Sequence, residues 1–168
     1  MKKLFIASVL MASMCMASGE MKLFEATKIY SMNYDRNTTG LVRQQLVYKE
    51  PKWVAKVKTR AGKEIYFSSP KSMFEFYHQP GRWYDIGVKS ERDFSEIVVT
   101  DYSTAKPINA ETSYYVYGSS STSPAGDDLP AFATKESAEK FAKANSGKRV
   151  MSFDSVPVAL IKLLNGKI

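Results

Sequence analysis

Few side chains in this sequence could bind a metal ion or perform catalysis. Cys15 is the only cysteine and His78 the only histidine, so a metal site built from several imidazoles is excluded. The carboxylates are dispersed, and the one adjacent acidic pair beyond residue 19, Asp127 and Asp128, would point to opposite sides of an extended segment. No glycine-rich phosphate loop is present. We therefore expect that the protein is not an enzyme.

Thioether sulfur is the soft donor that remains, and thioethers favour Cu(I). Beyond residue 19 the methionines are Met21, Met32, Met73 and Met151. The last two lie in apolar patterns and are expected in the core. Met32 is a better candidate ligand than Met21 because it is nearer the folded body. His78 is the second candidate, although it ends a predicted helix, where a cation is also favoured by the helix dipole.

The N-terminus has the pattern of a secretory signal. Lys2 and Lys3 precede an uncharged stretch, residues 4–16, that is shorter than the roughly 20 residues needed to span a bilayer. Small residues follow, so cleavage after Gly19 or after Ala17 fits. The alternatives are a buried N-terminal helix and acylation of Cys15. We expect residues 1–19 to be a signal peptide and the protein to be periplasmic. If Cys15 is acylated instead, the protein is a lipoprotein anchored through that residue.

Cleavage would leave about 149 residues without a cysteine, hence without a disulfide or a thiolate ligand. The net charge would fall from +7 to +5 with the loss of Lys2 and Lys3. The remaining charges are scattered, which is typical of a solvated surface and argues against nucleic acid as a partner. A mildly basic surface would suit an acidic protein partner. Membrane attachment is expected only if Cys15 is lipidated.

The first half of the chain predicts strand, strand, helix and strand. Residues 53–59 and 64–67 form a hairpin around the turn at 60–63. Ser69 and Pro70 then begin a helix that ends before Pro80, and residues 97–100 form the next strand.

The second half repeats this order, with strands at 114–117 and near 129–132, a helix from Thr134 to about 145, a strand at 148–153 and an apolar helix at 157–164. The two helix starts can be overlaid, so that Phe67 matches Phe132 and Phe76 matches Phe141. This indicates an α+β fold of two tandem strand-strand-helix-strand units, residues 20–103 and 104–168.

Several ordered blocks resemble the NosL family of nitrous-oxide-reductase accessory proteins. They extend over roughly residues 27–156 and comprise 67–69 with 73–74, 98–102, 108–110, 113–119, 129–132, 138, 141–142 and 153–154. The resemblance implies an exported protein of two strand-strand-helix-strand units that binds Cu(I) and supplies copper to nitrous oxide reductase.

The chain departs from this family at both copper-binding motifs. Tyr30, Ser31 and Met32 stand where the family has Cys-Gly-Met, so the methionine is kept and the thiolate is lost. Residues 123–126 stand where the family has a second methionine in a Gly-Met-Gly-like loop. The resemblance therefore leaves Met32 as the inherited ligand, with His78 or another methionine completing a changed site, or a paralogue that does not bind copper in the family's way.

Two hypotheses follow. The first is a periplasmic accessory protein in copper handling or in nitrous oxide reductase maturation, a step of denitrification, whose partner is that enzyme or another periplasmic copper protein. The second is a non-metal module on the same fold that binds a protein through aromatic side chains, of which the chain has 10 tyrosines and 2 tryptophans.

We predict that the exported protein begins at Glu20 or Ser18. N-terminal sequencing and intact mass measurement of the protein from the producing cell would show this processing. A mature chain that starts with a lipid-modified Cys15 would contradict simple cleavage, and an intact Met1 would contradict export by this signal.

Overall fold

The first half of the chain folds into a four-stranded antiparallel sheet. The computed structural model describes residues 28–126 and 129–167. Along the sheet the strand order is β2-β1-β3-β4. The strands are β1 (Ala55–Thr59), β2 (Glu64–Phe67), β3 (Phe94–Thr100) and β4 (Pro107–Asn109). The predicted hairpin is confirmed, since β1 and β2 pair in antiparallel register around a turn in which Gly62 has a φ of 85°.

Helix α1 (Pro70–His78) begins where the sequence places it. The Ser69 hydroxyl accepts a hydrogen bond from the Ser72 amide at 3.2 Å, and Pro70 has no amide hydrogen that would need a partner at this position. The helix ends at His78, directly before the short 3-10 helix Pro80–Arg82.

The second half forms a three-stranded antiparallel sheet of order β6-β5-β7. Its strands are β5 (Tyr114–Tyr117), β6 (Ala131–Phe132) and β7 (Arg149–Ser152), and helices α2 (Lys135–Ala144) and α3 (Val158–Leu164) complete the fold. The Thr134 hydroxyl caps α2 by accepting a hydrogen bond from the Ser137 amide at 3.2 Å. Alternation along β5 directs Tyr115 to the main core and Val116 to a smaller cluster beneath α2.

The two overlaid helix starts have the same internal packing. Phe67 ends β2 and its ring centre lies 5.4 Å from that of Phe76 in α1. Phe132 ends β6 and lies 4.9 Å from Phe141 in α2. The predicted fold class is therefore confirmed as α+β with two strand-strand-helix-strand units. The boundary between the two units, placed between residues 103 and 104, stays a prediction. Strand β4 lies beyond that boundary but pairs with β3 of the first unit.

The observed elements differ from the predicted ones at several ends. β1 begins at Ala55 rather than at Trp53, because Pro51–Trp53 forms a 3-10 helix that removes these residues from the ladder. β3 begins at Phe94, three residues earlier than predicted, because Phe94 pairs with Thr59 across a register shift in β1. The short strand β4 and the remaining 3-10 helices were not predicted; those helices are Val47–Lys49, Pro80–Arg82, Tyr84–Ile86, Glu91–Asp93 and Phe153–Ser155.

A short parallel bridge joins the two sheets. Asp101, just after β3, pairs with Ala131 of β6, and the Tyr102 amide donates to the Ala131 carbonyl at 2.8 Å. The buried Asp101 carboxylate accepts hydrogen bonds from the amide of Ser103 at 2.9 Å and from its hydroxyl at 2.6 Å. These bonds satisfy the carboxylate locally and fix the turn that joins β3 to β4 within the first sheet.

Helix α1 contacts both sheets. Phe76 packs on Phe67 and Phe94 of the first sheet, with ring centres at 5.4 and 5.6 Å. Phe74 packs on Tyr115 of the second sheet and on Phe153, each at 4.9 Å. The residues of both sheets thus share one core around this helix. In the described part of the chain, no helix is long and apolar enough to cross a membrane.

We predict that Phe74→Ala lowers the free energy of unfolding by about 3–5 kcal/mol, because it opens a cavity between fully buried aromatic rings. Urea denaturation followed by circular dichroism would measure the change. Tyr84→Ala is the control, since Tyr84 is 80% exposed and its loss should change the stability by no more than about 0.5 kcal/mol. A loss below about 1 kcal/mol for Phe74→Ala would contradict a core centred on α1.

Candidate functional site

Met32 lies on an N-terminal segment, residues 31–46, that runs beside the edge strand β2. The Tyr66 hydroxyl of β2 donates to the Asn33 carbonyl, and the Leu41 amide donates to the Tyr66 carbonyl at 2.8 Å. The Tyr34 ring meets the Tyr66 ring edge-on at 6.0 Å. Met32 itself is half-buried. The segment is therefore fixed at Asn33 and at Leu41, on either side of a turn at residues 36–37, and part of the Met32 side chain remains accessible to solvent.

Ionised groups surround the tyrosine that anchors this segment. Lys56, on the face of the first sheet opposite the core, is 1% exposed and donates to Glu64 Oε1 at 3.0 Å. Its ammonium also lies 3.8 Å from Glu96. The hydrogen bond from Lys56 is the main reason that the pKa of Glu64 is lowered. Burial, followed by the hydrogen bond to Glu64, raises the pKa of Tyr66, so its hydroxyl keeps the proton that it donates.

His78 is the last residue of α1 and is held by packing. Its ring stacks on Phe74 at 5.9 Å, and Nε2 lies 3.0 Å from the Val156 carbonyl oxygen. Because a carbonyl oxygen only accepts, we assign the hydrogen of the neutral ring to Nε2. Nδ1 then retains its lone pair and is the nitrogen that could bind a metal. Burial lowers the pKa of His78, which opposes the cationic role that the sequence suggested for this helix end.

His78 lines a small cavity of about 60 Å³ together with basic side chains. Arg82, Lys162 and Lys167 are among the other lining residues. The one carboxylate there, Glu75, lies within 4 Å of Arg82 and Lys167 and also of Arg43. A cation that approaches His78 through this cavity would therefore meet positive charge.

The structure does not show the two predicted ligands together. The contacts of His78 are with α1 and with Val156, whereas Met32 belongs to the segment along β2, and Met32 does not line the cavity beside His78. Among residues 28–126 and 129–167, no group of three or more histidine, cysteine, aspartate or glutamate side chains could hold a metal ion. Within this part of the chain, the soft donor of the predicted motif is Met32.

The loop at residues 123–126, where the resemblance places a second methionine, is held by hydrogen bonds to its backbone. Gln45 Nε2 donates to the Pro124 carbonyl at 2.8 Å. The buried Lys71 ammonium donates to the Ala125 carbonyl at 3.2 Å and to the Leu164 carbonyl at 3.3 Å. Gly126 has a φ of 99°, which a residue with a side chain rarely adopts. The loop therefore has a defined position relative to α1 and α3 without any metal ligand.

No sequence pattern indicates that Gln45 and Lys71 position this loop. Lysine is almost always exposed, so no local pattern indicates that Lys71 would be 1% exposed. The structure also has a cleft of about 740 Å³ between residues 44–50 and 122–124, lined by Trp53 and Tyr102, that no sequence pattern indicates. The planes of these two rings are inclined at 61° and their centres lie 4.9 Å apart. The two residues are 49 positions apart in the sequence, so only folding brings them together.

We predict that the stability of the protein decreases as the pH falls through about 6.5, the ordinary pKa of histidine, toward the lower pKa of folded His78. Burial disfavours the charged ring, so the unfolded chain binds this proton more readily. Unfolding free energies measured between pH 8 and pH 5 would show the slope, and His78→Gln should reduce it. Equal slopes in both proteins would contradict the prediction, because the chain has no other histidine.

Comparison with known proteins adds a family and a fold. The NosL family model matches residues 31–161. A crystal structure described as the copper chaperone NosL from Shewanella denitrificans superposes with a TM-score of 0.67 and 23% sequence identity, covering 79% of this chain and 98% of that one. No curated protein matches significantly. The structural likeness is one of fold, and the family match extends over most of the chain and includes Met32. This chain belongs to the NosL family.

Proposed function

We propose that this protein is a periplasmic accessory protein that takes Cu(I) as its cargo and supplies it to a copper enzyme, either nitrous oxide reductase or another periplasmic copper protein. No catalytic role is part of the proposal. The observation behind it is the family match over residues 31–161, which begins at the motif containing Met32. A structure with the same fold is described as a copper chaperone, which agrees with this role.

Met32 has the properties that a cargo ligand needs. Its thioether prefers Cu(I) to harder metals, and its half-buried position allows a metal to enter and leave. The hydrogen bonds that fix Asn33 and Leu41 to β2 give the neighbouring backbone a defined position. A thioether has no proton to lose, so binding through Met32 should depend little on pH near neutrality.

His78 is the second ligand of the proposal. Its Nδ1 offers a lone pair, and the Nε2 hydrogen bond to Val156 fixes the orientation of the ring. The basic side chains in the same cavity oppose a cation there. Both proposed ligands lie in the proposed first unit, residues 20–103, so neither depends on the boundary between the two units.

A protein-binding module without metal is the second candidate. It is favoured by the chemistry of the motif, in which Tyr30 and Ser31 offer hard oxygen donors where a thiolate would be needed for Cu(I). The 80% exposure of the Tyr84 ring also gives this fold an aromatic side chain that is available to a partner.

We predict that the protein binds Cu(I) with a dissociation constant tighter than micromolar and that Met32→Ala weakens binding by about tenfold or more, which corresponds to about 1.4 kcal/mol. Titration without oxygen against a chromogenic Cu(I) chelator would measure both values. Met21→Ala is the matched control, because it removes a methionine of the N-terminal region outside the motif. Binding weaker than micromolar, or equal affinity in the Met32→Ala protein, would contradict the copper function and favour the protein-binding module.

The same titration tests whether His78 is a copper ligand. If Nδ1 binds Cu(I), His78→Gln should weaken binding, and the affinity of the unaltered protein should fall when the pH is lowered enough to protonate the ring. An affinity that is independent of pH and unchanged by His78→Gln would leave Met32 as the ligand and would contradict the second site residue.

A further inference from the structure

Helix α3 exposes apolar side chains that its sequence would lead one to expect in a core. Six of its seven residues are apolar, and a helix that is apolar all round is normally buried. Ile161 is 4% exposed and belongs to the main core. Val158 and Leu163, however, are 37% and 46% exposed. The helix therefore forms an apolar ridge on the surface of the protein.

Shallow depressions lie on either side of this ridge, and basic residues line both of them. Val158, Ile161 and Lys162 form one wall of the first, which is the cavity beside His78 that Arg82 and Lys167 also line. Leu163 and Leu164 form one wall of the second, where Lys148 is the charged residue. We call this surface the α3 face: the exposed residues Val158, Lys162 and Leu163 with their neighbours Arg82, Lys148 and Lys167.

The positive charge of the α3 face is in excess. Glu75 is the one carboxylate among the residues that line the two depressions. Its side chain is 11% exposed and accepts a hydrogen bond from Asn165 Nδ2 at 2.9 Å. Arg43, Arg82 and Lys167 all lie within 4 Å of it. Since several cations share this one anion, the exposed ends of Arg82 and Lys167 remain available to further negative charge.

We propose that the α3 face docks on an anionic lipid bilayer. Aliphatic side chains on a ridge, flanked by lysine and arginine on both sides, are the arrangement by which a surface helix enters the headgroup region while its cations contact phosphates. A protein partner is less favoured, because α3 contains none of the aromatic side chains that usually anchor protein interfaces. This docking involves neither Met32 nor any lipid on Cys15.

Sedimentation with lipid vesicles tests the proposal. The protein, in the processed form that the cell produces, is mixed at low salt with vesicles of phosphatidylglycerol and phosphatidylcholine in equal parts, or of phosphatidylcholine alone. We expect binding to the anionic vesicles and a loss of binding as salt is raised. Replacing Lys162 and Lys167 together by glutamine should lower the partition coefficient about 30-fold, because each cation near an anionic surface usually strengthens binding about fivefold. Leu163→Ser should also weaken binding.

Helix α2 offers the matched control, because it packs on one face of the second sheet, whereas Ile161 of α3 belongs to the main core on the other face. Replacing its exposed Lys140 and Lys143 by glutamine changes the net charge equally and should change binding by less than about threefold if only nearby charges matter. Thermal unfolding confirms that each variant is folded. Equal loss in both double variants, or no binding to anionic vesicles, would overturn the proposal. Tighter binding to poly-L-glutamate than to vesicles, unaffected by Leu163→Ser, would instead indicate an acidic protein surface and overturn the lipid assignment.

Discussion

Helix α1 has nine residues and must fill the protein core on two sides at once. Phe76 contacts the rings of the first sheet, while Phe74, two positions earlier, contacts those of the second. Both are fully buried. Residues two apart on a helix lie on nearly opposite sides, so this short segment links two sheets that would otherwise have separate and small cores. The cap formed by Ser69 fixes where the helix begins and hence which sheet each phenylalanine faces.

The same helix positions the surroundings of the candidate site. Lys71, in its first turn, places a buried ammonium against carbonyls of the 123–126 loop and of the end of α3. Hydrogen bonds from a charged donor contribute about 1.5–3 kcal/mol each, and leaving a buried charge without them would cost more. The loop at residues 123–126 is therefore held through backbone groups. His78, at the other end of α1, stacks on Phe74, so its ring position also depends on the shared core.

The candidate copper ligand depends on a different part of the fold. Met32 belongs to a segment attached to the edge of the first sheet, where Tyr66 links the Asn33 carbonyl to Glu64 and thereby to Lys56. An unpaired sheet edge offers free backbone groups, and the Leu41 amide bonds to one of them, the Tyr66 carbonyl, without forming a regular strand. The α3 face does not include Met32, although one of its depressions is the cavity that His78 lines. Met32 and the lysines of the α3 face can therefore be altered independently by mutation.

The sequence by itself determined those features that arise from contacts within a few residues. The hairpin at Gly62, the caps at Ser69 and Thr134, the overlay of Phe67 with Phe132 and the lack of any cysteine beyond residue 15 all follow from local spacing and residue type. Met32 likewise stands out in the sequence through its motif, and its role as a ligand stays a prediction. Local hydrogen bonds and steric preferences act in the same way in most tertiary contexts, which is why they can be recognised without a structure.

Only the tertiary structure decided which distant residues meet. Lys71 donates to a carbonyl 93 residues away, and Asp101 pairs with Ala131 across two sheets. The burial of a lysine, the exposure of Leu163 on an apolar helix and the separate surroundings of Met32 and His78 have no local signal. They result from how the two sheets and α1 pack, since the free energy of burying a side chain depends on the neighbours that folding supplies and not on its position in the sequence.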